Sequence, residues 1–206
     1  MVKQYDQAYF DRWYRDDKYA AWRGALTAQK AALAVACAEY YLGRAVRSVL
    51  DVGCGEGIWR GAVKKLRPRA YYLGLDSSEY AVRRYGRSRN LRLVDFAQLA
   101  ELRFDRSFDL LVCSDVMHYL PDRALKRGLS GFAELCHGLA YLDVFCADDA
   151  TEGDHDGFIA RPAAKYLRMF RVAGFVPVGG HCYLAPPLHD QAVSLEFGSL
   201  VPRRRR

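Results

Sequence analysis

The sequence predicts a doubly wound α/β fold with a mostly parallel sheet. Short apolar runs alternate with helical patterns through most of the chain, and strands that are apolar on both faces are typical of parallel sheets covered by helices. A second observation is the glycine-rich stretch at residues 53–57, directly after the first of these runs. A third is that the last two apolar runs have no helix between them, so we expect them to pair antiparallel.

The N-terminal part of the chain is predicted to be helical. Tyr5, Tyr9 and Trp13 recur at steps of four, which places them on one face of a helix. An alanine-rich, proline-free segment over 20–43 follows and ends at Gly43, a typical helix stop. Two interpretations stay open for the aromatic stretch: a lid that lines a binding pocket, or an amphipathic helix packed on the edge of the sheet.

Strands and helices alternate through the rest of the chain. Strands are predicted at 48–52, 70–76, 91–95, 108–115 and 140–146. Helices are predicted at 57–68, 77–87, 122–139 and 162–175. The final two strands are predicted at 175–185 and 191–200. Because the connection between those two is too short for a parallel crossover, they form the antiparallel C-terminal pair.

The composition is that of an ordinary globular domain. Of the 206 residues, 27% are charged and 51% are hydrophobic. No apolar run approaches the ~20 residues needed to span a bilayer, and the N-terminus lacks the apolar core of a signal peptide. We therefore expect a cytoplasmic protein with no membrane partner, and the sequence leaves its oligomeric state open.

Cysteine spacing and charge exclude some functions and leave others open. None of the six cysteines forms a C-x-x-C pair, so we expect neither a disulfide framework nor a zinc site. The net charge is +7, of which Arg203–Arg206 supply four. This basic tail is either a frayed, solvated end or a contact for nucleic acid or another acidic surface.

The glycine-rich stretch reads "LDVGCGEG" at residues 50–57. A glycine loop after a strand lets backbone N–H groups and a helix N-terminus approach a ligand closely. The dinucleotide fingerprint G-x-G-x-x-G, started at Gly53, would place its third glycine at Ile58. The order here is D-x-G-x-G-x-G instead, which begins at Asp51.

Four motifs in this order resemble those of the class I S-adenosylmethionine-dependent methyltransferases. The first is the glycine loop; the second is the acid that ends "YLGLD", Asp76. The third is the pair Asp95-Phe96 within "LRLVDFAQL", and the fourth is "FDLLVCSDVMHYLPD", which begins with the fourth strand. The resemblance is strong over roughly residues 45–148 and implies a Rossmann-like, seven-stranded sheet with S-adenosyl-L-methionine as cofactor.

The resemblance also implies roles for individual residues. The loop would surround the methionine part of the cofactor, Asp76 would hold the ribose hydroxyls, and Asp95 with Phe96 would hold the adenine. Ser114 and Asp115 would face the methionine end and the acceptor. The full set of expected cofactor-binding residues is Asp51, Gly53, Cys54, Gly55, Gly57, Asp76, Ser77, Asp95, Phe96, Ser114 and Asp115.

Candidate catalytic residues follow the fourth and fifth strands. His118 and Tyr119 come directly after the fourth strand, where they would bind or deprotonate the acceptor; the alternative is packing or helix capping. The acidic loop 148–158 carries His155 between two aspartates, and could bind a cationic acceptor or a divalent metal, or be a solvated loop. We expect no resident metal.

Three arginines are weaker candidates for anion binding. Arg161 could hold an acceptor carboxylate, and Arg12 or Arg15 could hold the carboxylate of the methionine part. Each would rely on the paired N–H donors of a guanidinium.

The sequence therefore predicts one methyltransferase domain over 1–206. It comprises an N-terminal helical lid at 1–43, a Rossmann-like core at 44–200 and a basic tail at 201–206. The expected function is methyl transfer to an O or N atom of a small-molecule acceptor. The alternatives are a protein or RNA acceptor, which the basic charge favours slightly, and a cofactor-binding scaffold without turnover.

Overall fold

The computed structural model describes residues 4–150 and 154–197 of the chain. The helices are α1 Gln7–Tyr14, α2 Asp17–Leu42, α3 Ile58–Leu66, α4 Glu79–Arg89, α5 Asp122–Leu129, α6 Phe132–Leu135 and α7 Ala163–Val172. The strands are β1 Ser48–Val52, β2 Tyr71–Asp76, β3 Leu91–Leu93, β4 Phe108–Ser114, β5 Cys136–Asp143, β6 Val176–Gly179 and β7 Cys182–Leu184. Short 3₁₀ helices span Phe96–Ala100, Met117–Tyr119, Pro186–Gln191 and Ser194–Glu196. The predicted basic tail at 201–206 lies outside the described residues.

The seven strands form one mixed sheet in the order β3-β2-β1-β4-β5-β7-β6. β1 pairs parallel with both neighbours, so Leu50 lies opposite Leu73 on one side and Leu111 on the other. β7 runs antiparallel to both β5 and β6. The predicted fold class is confirmed. The strand order reverses between β1 and β4, and such a reversal opens a crevice at the carboxyl ends of the strands, where doubly wound sheets bind ligands.

Hydrophobic cores cover both faces of the sheet, and β4 contributes to each. Leu110 and Val112 are fully buried in the core that includes residues of α2 and α3, whereas Leu111 and Cys113 are fully buried against residues of α5 and α7. This division follows from the alternation of side chains along a strand. The continuous apolar character of β4 thus reflects burial on both sides.

Helix α2 crosses the sheet over β4 and β5 with small residues facing inward. Ala31, Ala34 and Ala38 are completely buried. Their small side chains let the helix approach the strands closely. As a result, the residues one turn earlier on α2, Thr27 and Lys30, lie near the carboxyl ends of β4 and β5.

The predicted C-terminal strand pair is present, but its members differ from the prediction. Both β6 and β7 lie within 175–185, the segment predicted to be one strand. Gly179, Gly180 and His181 have φ of 96°, 56° and 63°, which reverses the chain between the two strands. The predicted last strand at 191–200 is wrong for its described part, where Ser194–Glu196 is a 3₁₀ helix; residues 198–200 lie outside the described residues.

Strand β5 begins at Cys136, four residues before the prediction. Residues 136–139 were predicted to continue the preceding helix, yet they pair with β4 from Phe108 onward. Gly138 explains why the strand is favoured: a Cβ at this position would clash with the backbone oxygen of Asp109. The absence of a side chain lets β5 lie tightly against β4, and this tertiary contact overrides the local helical pattern.

Among the helices of residues 4–150 and 154–197, none is both long enough and apolar enough to cross a membrane.

Candidate active site

A cavity of about 260 Å³ opens at the carboxyl ends of β1, β2 and β4. The glycine loop forms its floor, and side chains of α1 and the first half of α2 cover it. Every expected cofactor-binding or catalytic residue lines this cavity except Gly57; the three weaker arginine candidates do not. The structure therefore brings together side chains that are up to 104 positions apart in the sequence, from Asp51 to His155.

The three glycines of the loop each have a backbone conformation that favours glycine. Gly53, Gly55 and Gly57 have φ of 70°, 54° and 77°, in the left-handed region that other residues rarely adopt. A Cβ on Gly53 would clash with Val116, and one on Gly55 would lie 2.5 Å from the Tyr14 hydroxyl. The absence of side chains at the first two glycines thus lets Val116 and Tyr14 lie close against the loop, and Gly57 precedes α3.

Two buried carboxyl groups lie beneath the loop. Asp76 accepts hydrogen bonds from the backbone N–H groups of Gly55 at 2.6 Å and Ser78 at 2.8 Å. Asp51 accepts a hydrogen bond from the Tyr72 hydroxyl at 2.6 Å. Burial raises the pKa of both groups, that of Asp51 to about 7. Asp76 therefore organises the loop in addition to lining the cavity.

Asp95 and Phe96 lie at the edge of the cavity beyond β3. Asp95 is exposed and caps the 3₁₀ helix Phe96–Ala100, because its carboxylate accepts a hydrogen bond from the Ala97 N–H at 2.8 Å. Phe96 is buried and packs on Phe132 with ring centroids 5.8 Å apart. Helix capping accounts for the position of Asp95 without a ligand, while its place in the lining leaves the carboxylate accessible to one.

Sequence reasoning missed a charged cluster at the ends of β4 and β5. Lys30 binds the carboxylate of Asp143, and its ammonium lies 3.7 Å from Asp115. Ser114 donates a hydrogen bond to the same carboxylate of Asp143 at 2.9 Å. Asp115 has a φ of 60°, unusual for a residue with a side chain. Such backbone strain is found preferentially at functional sites.

His118 is enclosed by aromatic rings. Its ring centroid lies 4.2 Å from that of Tyr119, 5.6 Å from Phe145 and 5.4 Å from Phe158. The side chain is buried at 2% exposure. The imidazole of His118 therefore packs against neighbouring aromatic rings, and it also lines the cavity.

Tyr119 lies in the segment after β4, and His155 lies in the loop after β5. The Tyr119 hydroxyl donates a hydrogen bond to the backbone oxygen of Asp154 at 2.8 Å, which ties the segment after β4 to the loop after β5. Burial raises the pKa of Tyr119, so this phenol stays protonated near neutral pH. His155 is exposed at the rim and lies near Phe158, with ring centroids 6.4 Å apart.

The segment around α1 packs on the glycine loop and on the start of α4. Ser78 donates a hydrogen bond to the backbone oxygen of Tyr5 at 2.6 Å, and Arg15 binds Glu56 at 2.6 Å. Arg15 is therefore held by the loop and, like Arg12, lies outside the cavity lining. Arg23 of α2 lines the cavity instead: its guanidinium lies 4.9 Å from the ring centroid of Tyr14, and its Nε is buried without a hydrogen-bond partner.

The guanidinium of Arg161 is enclosed by protein hydrogen-bond partners and is not exposed to the cavity. Its guanidinium is bound to the Asp122 carboxylate at 2.7 Å, to the Tyr166 hydroxyl at 3.1 Å and to the backbone oxygens of Met117 and Leu120. The side chain is buried and does not line the cavity. The expectation that it would hold an acceptor carboxylate is not supported by this arrangement.

No cluster of three or more metal-ligating side chains occurs within the described ranges 4–150 and 154–197. Residues 50–137 match the family model described as "Methyltransferase domain". The match indicates a methyltransferase domain in this part of the chain. The methyl donor of this enzyme class is S-adenosyl-L-methionine.

Solved structures with the same fold include other methyltransferases. An O-methyltransferase family protein from Burkholderia thailandensis is 17% identical with a TM-score of 0.53; the match covers 82% of this chain and only 59% of that one. The sugar N-methyltransferase KedS8 from Streptoalloteichus is 18% identical with a TM-score of 0.60, covering 85% of each chain. No curated protein matches the sequence significantly.

A further structure with this fold contains the demethylated cofactor. The N-methyltransferase NodS from Bradyrhizobium japonicum, solved with S-adenosyl-L-homocysteine, is 19% identical with a TM-score of 0.59. The match covers 86% of this chain and 89% of that one. At these identities the likeness concerns the fold of the methyltransferase domain.

Proposed function

We propose that the protein transfers the methyl group of S-adenosyl-L-methionine to an O or N atom of a small-molecule acceptor. The observation that carries the proposal is the cavity at the reversal of strand order, with the glycine loop and its acids on one side and aromatic side chains on the other. KedS8 and NodS are N-methyltransferases by name, which is consistent with an acceptor of this kind.

The residues that surround the cavity fit the cofactor. Gly53 and Gly55 line the cavity without side chains, and Asp76 presents a buried carboxyl group, a type of group able to accept hydrogen bonds from hydroxyls. Arg23 has a buried Nε without a hydrogen-bond partner, so it is the cation that we assign to the carboxylate of the methionine part. When bound, the cofactor supplies a methyl group on a positively charged sulfur.

The chain contributes chiefly positioning and exclusion of water. Methyl transfer gains most from alignment of the two reacting atoms in a water-free site, and α1 covers the glycine loop in the manner such a site requires. Because burial raises the pKa of Tyr5 to about 12 and raises the pKa of Tyr9, Tyr14 and Tyr119 as well, we assign these phenols contact and hydrogen-bonding roles rather than a role as base.

A macromolecular acceptor is the second candidate. The exposed faces of α3 and α4 carry Lys65, Arg83, Arg84 and Arg87, a basic surface that could contact RNA or an acidic protein. The modest size of the cavity and its cover favour the small acceptor. Binding of RNA that falls steeply with salt concentration, together with methylation of it, would favour the second candidate instead.

The proposal is tested by calorimetric titration with S-adenosyl-L-methionine, S-adenosyl-L-homocysteine and NAD. Micromolar binding of the first two without binding of NAD is the expected result. Binding of NAD alone, or of none of the three, would overturn the proposed function. The protein with bound S-adenosyl-L-homocysteine then serves for acceptor screening.

A further inference from the structure

The positive charge of the chain is concentrated in residues 60–92. This segment contains ten Lys or Arg residues against two Asp or Glu, whereas the rest of the chain, basic tail included, contains 21 against 22. Of the two acids, Asp76 is buried at the cavity and Glu79 is exposed. The net charge of +7 therefore comes from one segment, which includes most of α3, all of β2 and α4, and the start of β3.

Helix α4 carries the largest share of these cations. Arg83, Arg84 and Arg87 are exposed, and Lys65 is exposed on α3; we call these four residues the basic surface. None of them forms an ion pair with a carboxylate in residues 4–150 or 154–197. Arg83 and Arg87 lie four residues apart on the same side of α4, where like charges destabilise a helix. The surface thus keeps a repulsion that no carboxylate of the described residues relieves.

Both helices of the basic surface lie on the same side of the sheet. Val63 of α3 and Val82 of α4 pack in the same hydrophobic core, so the outer sides of the two helices are exposed in the same direction. Arg89 at the end of α4 donates a hydrogen bond to the backbone oxygen of Glu56, just before α3. The four cations therefore belong to one face of the protein, beside the glycine loop and outside the lining of the cavity.

Three guanidinium groups converge on the side chain of Tyr85 at this face. Arg84 and Arg15 donate hydrogen bonds to the Tyr85 hydroxyl at 3.2 Å and 3.3 Å. The guanidinium carbon of Arg89 lies 3.9 Å from the centroid of the same ring. Of the three arginines, Arg15 alone has carboxylate partners in the part of the chain that the structure describes. The tyrosine thus gathers positive charge next to the basic surface.

We infer that the basic surface, together with the arginines around Tyr85, binds nucleic acid through its phosphate backbone. Guanidinium groups form paired hydrogen bonds with phosphate oxygens, and eight of the ten cations in residues 60–92 are arginines. A single small phosphate would contact only the arginines around Tyr85. Because the cations extend along α4 and onto α3, a polyanion with regularly repeated phosphates matches the surface better.

A membrane surface fits this face less well than nucleic acid does. A helix that lies on a membrane inserts apolar side chains beside its cations, whereas the exposed residues of α4 are Glu79, Arg83, Arg84, Arg87 and Ser88. The inference concerns binding and not the methyl acceptor, so it goes beyond the proposed function and does not depend on it. Nucleic acid bound at this face does not have to enter the cavity.

The test measures fluorescence anisotropy of a labelled RNA strand of mixed sequence, titrated with the full chain between about 50 and 200 mM salt. The test variant is Arg83→Gln/Arg87→Gln. The matched control is Arg123→Gln/Lys126→Gln, which removes the same charge from exposed positions of α5 on the opposite face of the sheet. A third variant replaces Arg203–Arg206 by serine, and urea unfolding shows that each variant folds. Polyglutamate and unlabelled RNA are compared as competitors.

We expect Arg83→Gln/Arg87→Gln to bind RNA at least ~10-fold more weakly than wild type, with a salt dependence of log K that is less steep by about 1.4 for two lost phosphate contacts. The α5 variant should bind like wild type. Absence of RNA binding by wild type, equal weakening in both double variants, loss confined to the serine-tail variant, or equal displacement by polyglutamate and RNA would each overturn the inference. Failure to bind S-adenosyl-L-homocysteine would instead count against the proposed function alone.

Discussion

The ammonium group of Lys30 binds the carboxylate of Asp143, and this contact joins α2 to the carboxyl end of β5. Both side chains are largely shielded from water, with 18% and 8% exposure. The pair adjoins Ser114 and Asp115 at the cavity. It therefore fixes the ends of two central strands where we expect the acceptor and the methyl group to meet.

Replacement of Lys30 by methionine should destabilise the protein. The substitution keeps an unbranched side chain but leaves Asp143 buried without its cation, which we expect to cost about 2–4 kcal/mol. Urea unfolding measures the change. The double variant Lys30→Met/Asp143→Leu should recover part of the loss because it removes the unpaired charge. A single variant as stable as wild type would show that the pair contributes no net stability.

The substitution Asp76→Asn should weaken binding of S-adenosyl-L-homocysteine by at least ~10-fold. The amide removes the charge that strengthens hydrogen bonds to ligand hydroxyls, and it disturbs the bond to the Gly55 N–H. Calorimetry measures the affinity, and the exposed Asp105→Asn serves as control. Unchanged affinity in Asp76→Asn would remove this residue from the cofactor site.

At two glycines inside helices, substitution by alanine should change the stability of the protein in opposite directions. Gly61 of α3 has nothing within 4 Å of an added Cβ, so Gly61→Ala should stabilise the protein by up to about 1 kcal/mol. A Cβ on Gly128 of α5 would clash with the ring and backbone oxygen of Phe96. We expect Gly128→Ala to cost about 2 kcal/mol or more.

Thermal or urea unfolding measures the stability of both glycine variants. Their affinity for S-adenosyl-L-homocysteine gives a second readout. Because Phe96 lines the cavity, its displacement in Gly128→Ala should weaken the cofactor site as well. Equal stability of the two variants would contradict the tight contact between α5 and the 3₁₀ helix after β3.

Asp51 should make the stability of the protein depend on pH. Burial raises the pKa of its carboxyl to about 7, against the opposing effect of the hydrogen bond from Tyr72. Since an unfolded aspartate titrates near ~3.9, the native state holds the extra proton between these values. Stability from this group is therefore fully present below about pH 4 and is lost as the pH rises toward 7.

The comparison of wild type with Asp51→Asn isolates this effect, because asparagine does not titrate. Relative to the variant, wild type should lose roughly 4 kcal/mol of unfolding free energy between pH 4 and pH 7, or about 1.4 kcal/mol per pH unit. Urea unfolding at several pH values measures the difference. A difference that stays constant with pH would show that Asp51 is ionised throughout.

The sequence was most informative where local pattern and tertiary role agree. The glycine loop and the acids that end β1 and β2 were predictable because a buried strand, a tight turn and a carboxylate each leave a local signature. The start of β5 was not predictable, because residues 136–139 have a helical pattern and their strand conformation depends on contact with Asp109.

The site residues that the sequence did not predict are likewise placed by tertiary contacts and not by a local pattern. Arg23 and Lys30 lie on a long helix whose surface is otherwise ordinary, and neither carries a motif. Only the packing of small alanines against β4 and β5 brings their side chains to the cavity. The reverse holds for Arg161, which was a candidate for binding an acceptor carboxylate because it follows the acidic loop, and which is instead enclosed by Asp122 and backbone oxygens.

We expect the contacts that hold the segment around α1 to the glycine loop and to the start of α4 to influence both the affinity for the cofactor and the rate of product release. Because the segment around α1 borders the cavity, we expect product release to be faster when the Arg15–Glu56 ion pair and the bond between Ser78 and Tyr5 are broken. A stronger attachment of α1 would therefore lengthen the residence time of the spent cofactor, and a weaker one would admit water. Because these contacts are few and partly exposed, we expect them to hold the spent cofactor only briefly and then to separate.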